Sequence, residues 1–296
     1  MNHRIRRLFV LISLITFIGW ALFIFMGWHS YLVSAPEAPS RVSESYSGPV
    51  LHWEATAGDP DNCPPVFPEL EEAILEKVNE RRDRNRLGRL EFDSLLSAAA
   101  RCEATIMLSE GIRGFTSPDG SHLDERISTW ATDRIGISRG LQMPIPHLSA
   151  SILSDAEDIV RGWHNPGKQQ ALLADPGYDL AGVGVARGGD SAVVVLILYA
   201  DLIRLDEHLP LRLAGDSTLS VNGEYTNNTT EGEIKVTLEK QGRGFFTRYD
   251  HEPMPLEVNR VGNRLQMELS FDGKGLYLLR GEAGDRLLDT HPIEVY

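Results

Sequence analysis

The apolar positions change period along the chain. Leu70, Ile74 and Val78 recur at helical spacing with charged residues between them, which predicts an amphipathic helix from Pro68. After "LEFDS", the positions Leu95, Leu96, Ala98, Ala99, Cys102, Ile106 and Met107 predict a second helix with one buried face. "FTSPDG" at 115–120 predicts a turn, and Asp124 to Thr129 a short helix. Residues 135–154 show no clear period. Ser154 or Asp155 then caps a helix running to Trp163. "LAGVGVARGGDSAVVVLILYADL" predicts two strands joined by a Gly-Gly-Asp turn. Its run "VVVLILY" is apolar on both faces, as in a central strand covered on both sides.

Beyond about Leu205 the texture becomes short strands and turns. In "RLQMELSF" the residues Leu265, Met267, Leu269 and Phe271 share one face. About seven such runs in roughly 90 residues predict a small all-β, Ig-like sandwich at 205–296.

The N-terminus follows a third pattern. Arg4, Arg6 and Arg7 precede an uncharged run from Leu8 to Trp28, long enough for a transmembrane helix of roughly 20 residues. Trp28 and Tyr31 suit the far interface, and the leading arginines predict a cytoplasmic tail at 1–7. A cleaved signal peptide is the alternative, but its apolar core usually runs only about 7–15 residues. Residues 29–67 are rich in Pro, Ser and Gly and read as a linker. The rest of the chain is then extracytoplasmic, periplasmic or extracellular.

The formal net charge is −13, and removing the three leading arginines leaves −16. Phosphate backbones would be repelled, so nucleic acid is not an expected partner. Two cysteines, Cys63 and Cys102, lie on the extracytoplasmic side of the span. There they can form a disulfide that pins the entry segment to the domain; two unpaired buried thiols are the alternative.

Four segments, in order, resemble one family. Asn79-Glu80-Arg81-Arg82 with the Ala-rich helix after it, "TSPDGSHLDERI", "AEDIVRGWHNPGK" and "GVGVARGGDSAVVVLILYA" are similar to the CAP superfamily, in its bacterial SCP-like form. That superfamily includes cysteine-rich secretory proteins, antigen 5 and plant pathogenesis-related proteins of the first class. The resemblance implies an α/β/α sandwich at about 68–203.

It also implies a cleft in which two histidines and two acidic residues gather, binding a divalent metal in some members. The histidine before Thr-Ser-Pro-Asp-Gly falls on Phe115, and the one after Pro-Gly falls on Lys168. The glutamate of Gly-Glu-Asn belongs near Gly140, which Leu141 and Gln142 follow, and no Glu occurs from Ile127 to Ala156. A lysine replaces a neutral nitrogen ligand with a cation, and a phenylalanine offers no ligand. The resemblance therefore leaves a degenerate cleft, with no metal, no cofactor and no catalytic residue expected. Candidate cleft residues for binding are Phe115, Lys168, Gln142, His164, His122 and Glu157. A relocated metal or hydrolase site would need His122, His147, His164, Glu157 and Asp124 to converge.

Other chemistry finds little support. There is no nucleophile elbow around Ser117 or Ser121. "ARGGDS" reads as a hairpin turn, and "RRDRNR" at 81–86 as a solvated helix end. The reading that follows is a membrane-anchored module that binds an envelope ligand: a peptide, a glycan or a lipid. Two other functions stay open: a hydrolase or peptidase-like protein with a relocated site, and a structural envelope protein.

Overall fold

The computed structural model describes residues 63–116, 121–146, 152–164, 168–189, 191–215, 217–226, 234–240, 254–256, 258–284 and 286–296, all in one compact unit, His52–Tyr296. The expected span at 8–28, the tail at 1–7, the linker up to residue 62, and His147 lie outside these residues. Among the described residues no helix is long and apolar enough to cross a membrane.

Helix α1, Pro68–Arg84, begins with proline in its first turn beside Glu69 and Glu71, and ends with Arg81, Arg82 and Arg84. Both sets of charges oppose the helix dipole. Strand β1 is Glu91–Phe92. Helix α2, Ser94–Glu110, starts where the Asp93 carboxylate accepts from Leu96 N at 2.9 Å, and stops at Gly111 in the left-handed conformation. Helix α3 (Leu123–Trp130), strand β2 (Arg134–Ile145), helices α4 (Ile152–Trp163) and α5 (Lys168–Leu173), and strands β3 (Leu180–Gly188) and β4 (Ser191–Leu205) follow.

Strand β4 separates two layers of helices, because successive strand residues point to opposite faces. Val194, Leu196, Leu198 and Ala200 pack with Leu70, Ile74 and Val78 of α1 and with Ile159, Val160 and Trp163 of α4. Val195, Ile197 and Tyr199 pack with Leu96, Ala99 and Ala100 of α2 and with Leu123 and Ile127 of α3. This is why "VVVLILY" is apolar on both sides. Helix α2 approaches β3 very closely: a Cβ on Gly182 would lie 2.2 Å from the Leu96 carbonyl carbon, and one on Gly184 would lie 2.1 Å from Arg101 N.

Strand β2 is the longest element the sequence concealed; the short β1 and α5 were not predicted either. It runs antiparallel to β4 from Arg134 opposite Arg204 to Ile145 opposite Ala192. Gly136 and Gly140 stand where neighbours press on it, and Ser138 is buried, so no polar–apolar alternation survives.

The C-terminal region contains β5 (Arg212–Leu213), β6 (Thr218–Tyr225), β7 (Ile234–Lys240), β8 (Met254–Pro255), β9 (Val258–Val261), β10 (Arg264–Ser270), β11 (Gly275–Ala283), β12 (Arg286–Leu287) and β13 (His291–Val295). These strands are shared between two sheets. One has the order β1-β3-β4-β6-β10-β9 with β2 also on β4; the other has β5-β13-β11-β7-β8 with β12 on β11. One edge of β4 carries β2. The other carries β3 along Ser191–Tyr199 and then β6 along Ile203–Leu205. The first sheet therefore continues across the change of texture near residue 205, and one apolar cluster includes Leu70, Trp163, Leu265, Tyr277 and Ile293.

Cys63 and Cys102 form a disulfide. It fastens the segment before α1 to α2, where Arg101 donates to Glu71 and, at 3.4 Å, to Cys63 O.

Candidate functional site

Arg126 organises the loop before α3. A charged residue on an Ala-rich buried helix face needs a partner, and Glu103 of α2 finds it here. The Arg126 guanidinium donates to Glu103 through Nε at 2.6 Å and Nη2 at 2.7 Å. Its remaining donors reach Ser121 O at 2.7 Å and Phe115 O at 3.2 Å. Both side chains are more than nine-tenths buried, so the bidentate pair works in low dielectric. His122 sits exposed at the start of α3, with its amide donating to Glu125 Oε2 and its Nδ1 3.3 Å from Thr116 Oγ1.

The loop held by Arg126 carries Phe115, whose ring lies on β2. A Cβ built on Gly140 would meet Phe115 Cζ at 2.4 Å and Leu123 Cδ2 at 2.6 Å. The ring thus occupies the space over Gly140. Gln142, two residues further along the strand, is half-buried, and its carbonyl accepts from Trp163 Nε1 at 3.2 Å.

The other candidates lie on the opposite layer. Glu157 of α4 pairs with Arg81 of α1 at 3.1 Å. His164, just beyond α4, lines a crevice with Arg81, Arg82 and Asn85. Lys168 begins α5, and its side chain lies outside the described residues. The convergence required of a relocated site therefore does not occur among His122, Glu157 and His164: the sheet stands between α3 and α4. Among the described residues no three His, Cys, Asp or Glu side chains group as metal ligands would.

The Asn79-Glu80-Arg81-Arg82 motif works as a fastener. Asn79 exchanges two hydrogen bonds with the Leu90 backbone at 3.0 and 2.8 Å. Arg82, 2% exposed, donates to the carbonyls of Gly88, Leu173, Asp175 and Tyr178. Glu71 accepts from Arg101 and from Val185 N; burial raises its pKa, with Arg101 opposing.

A buried polar seam escaped the sequence reading because its members are about 150 residues apart. Ser138 donates its N–H and O–H to Asp289 Oδ1 at 2.8 and 3.0 Å. Asp289 N donates to Gly136 O, and Ser128 Oγ to Thr290 O. Burial pushes the Asp289 carboxyl up to about 8, against the Ser138 hydrogen bonds, and pulls the His291 imidazole down to about 4. Tyr199, fully buried, is also raised by burial, with Asp289 and Asp201 adding to the effect.

A three-layer α/β/α domain with this helix order and a closing β3–β4 hairpin defines the class. Residues 75–199 match the model of the cysteine-rich secretory protein family, CAP. Solved structures similar to this chain include an outer surface protein from Borrelia burgdorferi, at 16% identity and TM-score 0.40 over 45% of this chain and 93% of that one. An extracellular protein containing an SCP domain from Bacillus anthracis is 19% identical with TM-score 0.36, over 51% and 45%. A cysteine-rich secretory protein from Staphylococcus aureus is 18% identical with TM-score 0.35, over 46% and 40%. The matched region thus spans under half of the latter two chains. No curated protein matches the chain.

Proposed function

We propose that this chain is a membrane-anchored, extracytoplasmic CAP-domain protein that binds an envelope ligand without a metal. The observation that carries the reading is the Phe115 ring seated over Gly140 and Leu123. It occupies the position where the resemblance puts a cleft histidine. An aromatic ring there supplies packing and no lone pair for a cation. The remaining histidine and acidic candidates that are described are divided between two faces of the sheet. The span at 8–28 supplies the anchor, and the disulfide suits an oxidising compartment.

Zinc and calcium titrations of the full-length protein in detergent micelles test the reading. Neither metal should bind stoichiometrically in the micromolar range. Such binding, abolished by His122→Ala or His164→Ala, overturns it. Alkaline carbonate extraction of membranes tests the anchor: the protein should stay in the pellet.

A further inference from the structure

The basic run at 81–86 is separate from the loop that carries Phe115. It ends α1 in a chain of net charge −13. It lies against a crevice lined by Arg81, Arg82, Asn85 and His164, with Val78 and Leu173 as apolar wall. Glu157 of α4 pairs with Arg81 of α1, and His164, just past the end of α4, lines the same crevice as Arg81.

The polar groups of this crevice are unequally engaged. Arg82 is held by four backbone carbonyls and contributes a fixed charge. Arg81 donates to Glu157 Oε1 through Nη2, and its other nitrogens have no hydrogen bond among the described residues. His164 Nδ1 is buried without a hydrogen-bond partner among the described residues. A buried polar nitrogen of this kind calls for a partner that the described residues do not supply. Exposed Arg86, next to Asn85, has no ion pair among the described residues.

We propose that this crevice is an oxyanion-binding subsite. One oxygen of a ligand carboxylate or phosphate enters and accepts from Arg81 and from the Nδ1–H of His164. Asn85 donates at the mouth, and the charge of Arg82 favours the anion. Glu157 is the internal competitor: its side chain is 41% exposed, and it moves to solvent as the ligand takes its place on Arg81. The subsite lies across the sheet from Phe115 and does not rest on that ring's role, so the metal titration and an anion titration fail independently.

The probes are sodium acetate and sodium phosphate, at ionic strength held constant with sodium chloride. The protein is the full-length chain in micelles, labelled with 13C at histidine Cε1. The His164 resonance is identified by its loss in His164→Gln. A saturable shift with Kd on the order of 1 mM is expected. A response to acetate alone assigns a carboxylate ligand, and a response to phosphate alone a phosphorylated one. Arg81→Gln should weaken binding about tenfold, while Glu157→Gln should tighten it about threefold. These opposite directions are what a merely structural role would not produce. A shift linear in anion and matched by chloride overturns the proposal, as does a change of the same sign in both variants. If Arg81→Gln fails to fold, Glu157→Gln decides alone, and unchanged or weaker binding there overturns it.

Discussion

Asp289→Asn isolates the charge of one buried carboxyl. Burial raises the folded pKa of Asp289 from 3.8 to about 8, and lowers that of His291 from 6.5 to about 4. A raised acid favours the protonated form when folded, so its stabilisation is complete below the unfolded pKa and is lost as pH rises through the folded one. A depressed imidazole works the other way: its contribution is lost as pH falls from 6.5 to 4. Between those values the folded chain holds one extra proton at Asp289 and one fewer at His291, so the two slopes cancel. Above pH 6.5 only Asp289 still differs between the two states. Stability from this group then falls by up to about 1.4 kcal/mol per pH unit until about pH 8, or about 2 kcal/mol in all. Asp289→Asn keeps an acceptor for Ser138 and cannot ionise. The difference in unfolding free energy between wild type and variant should shift by that amount in the variant's favour over this window. Urea denaturation of the full-length protein in micelles at pH 6.5 and 8, followed by near-UV circular dichroism, measures it. An unchanged difference, or one of opposite sign, would refute the argument.

Reducing the Cys63–Cys102 bridge, or replacing both cysteines by serine, opens a loop of sequence separation 39 that contains all of α1. The chain-entropy term is about 4 kcal/mol, read as a lower denaturant midpoint. Arg126→Ala leaves Glu103 buried and unpaired, and should cost about 3–5 kcal/mol in the same assay. Arg126→Lys restores only part, because an ammonium cannot make the bidentate contact. Gly140→Ala drives a methyl into the Phe115 ring and should cost about 1–3 kcal/mol. Adding Phe115→Ala should remove part of that cost, with Leu123 Cδ2 still 2.6 Å from the new methyl, and strict additivity in the double-mutant cycle would mean that the ring does not fill this space.

Helices α1 to α4 and the closing hairpin were legible because their signals are local, whereas the short α5 after the Pro-Gly turn was not. Proline and glutamates at the start of α1, Asp93 before α2, and the 3.6-residue rhythm between them need no knowledge of the rest of the chain. Strand β2 was not legible: glycines and a buried serine, each placed by a neighbour, erase its period. The site was half legible. Comparison of motifs marked Phe115 as the residue to watch, and only the fold put its ring on Gly140. The Glu103–Arg126 pair carried a usable signal, a carboxylate in an apolar helix face, whose partner follows 23 residues later.

The sequence by itself determined the helices that flank the sheet, the closing hairpin, and an even pair of cysteines beyond an apolar N-terminal run. Tertiary structure alone decided that β4 carries its sheet on into β6, that Asp289 lies under Ser138, and that His122 and His164 are kept apart. The physical reason is range. Caps and periodicity act within a turn or two of the backbone. Burial, and the pKa shifts that follow from it, depend on which distant segments exclude water from a group, and no local pattern records that.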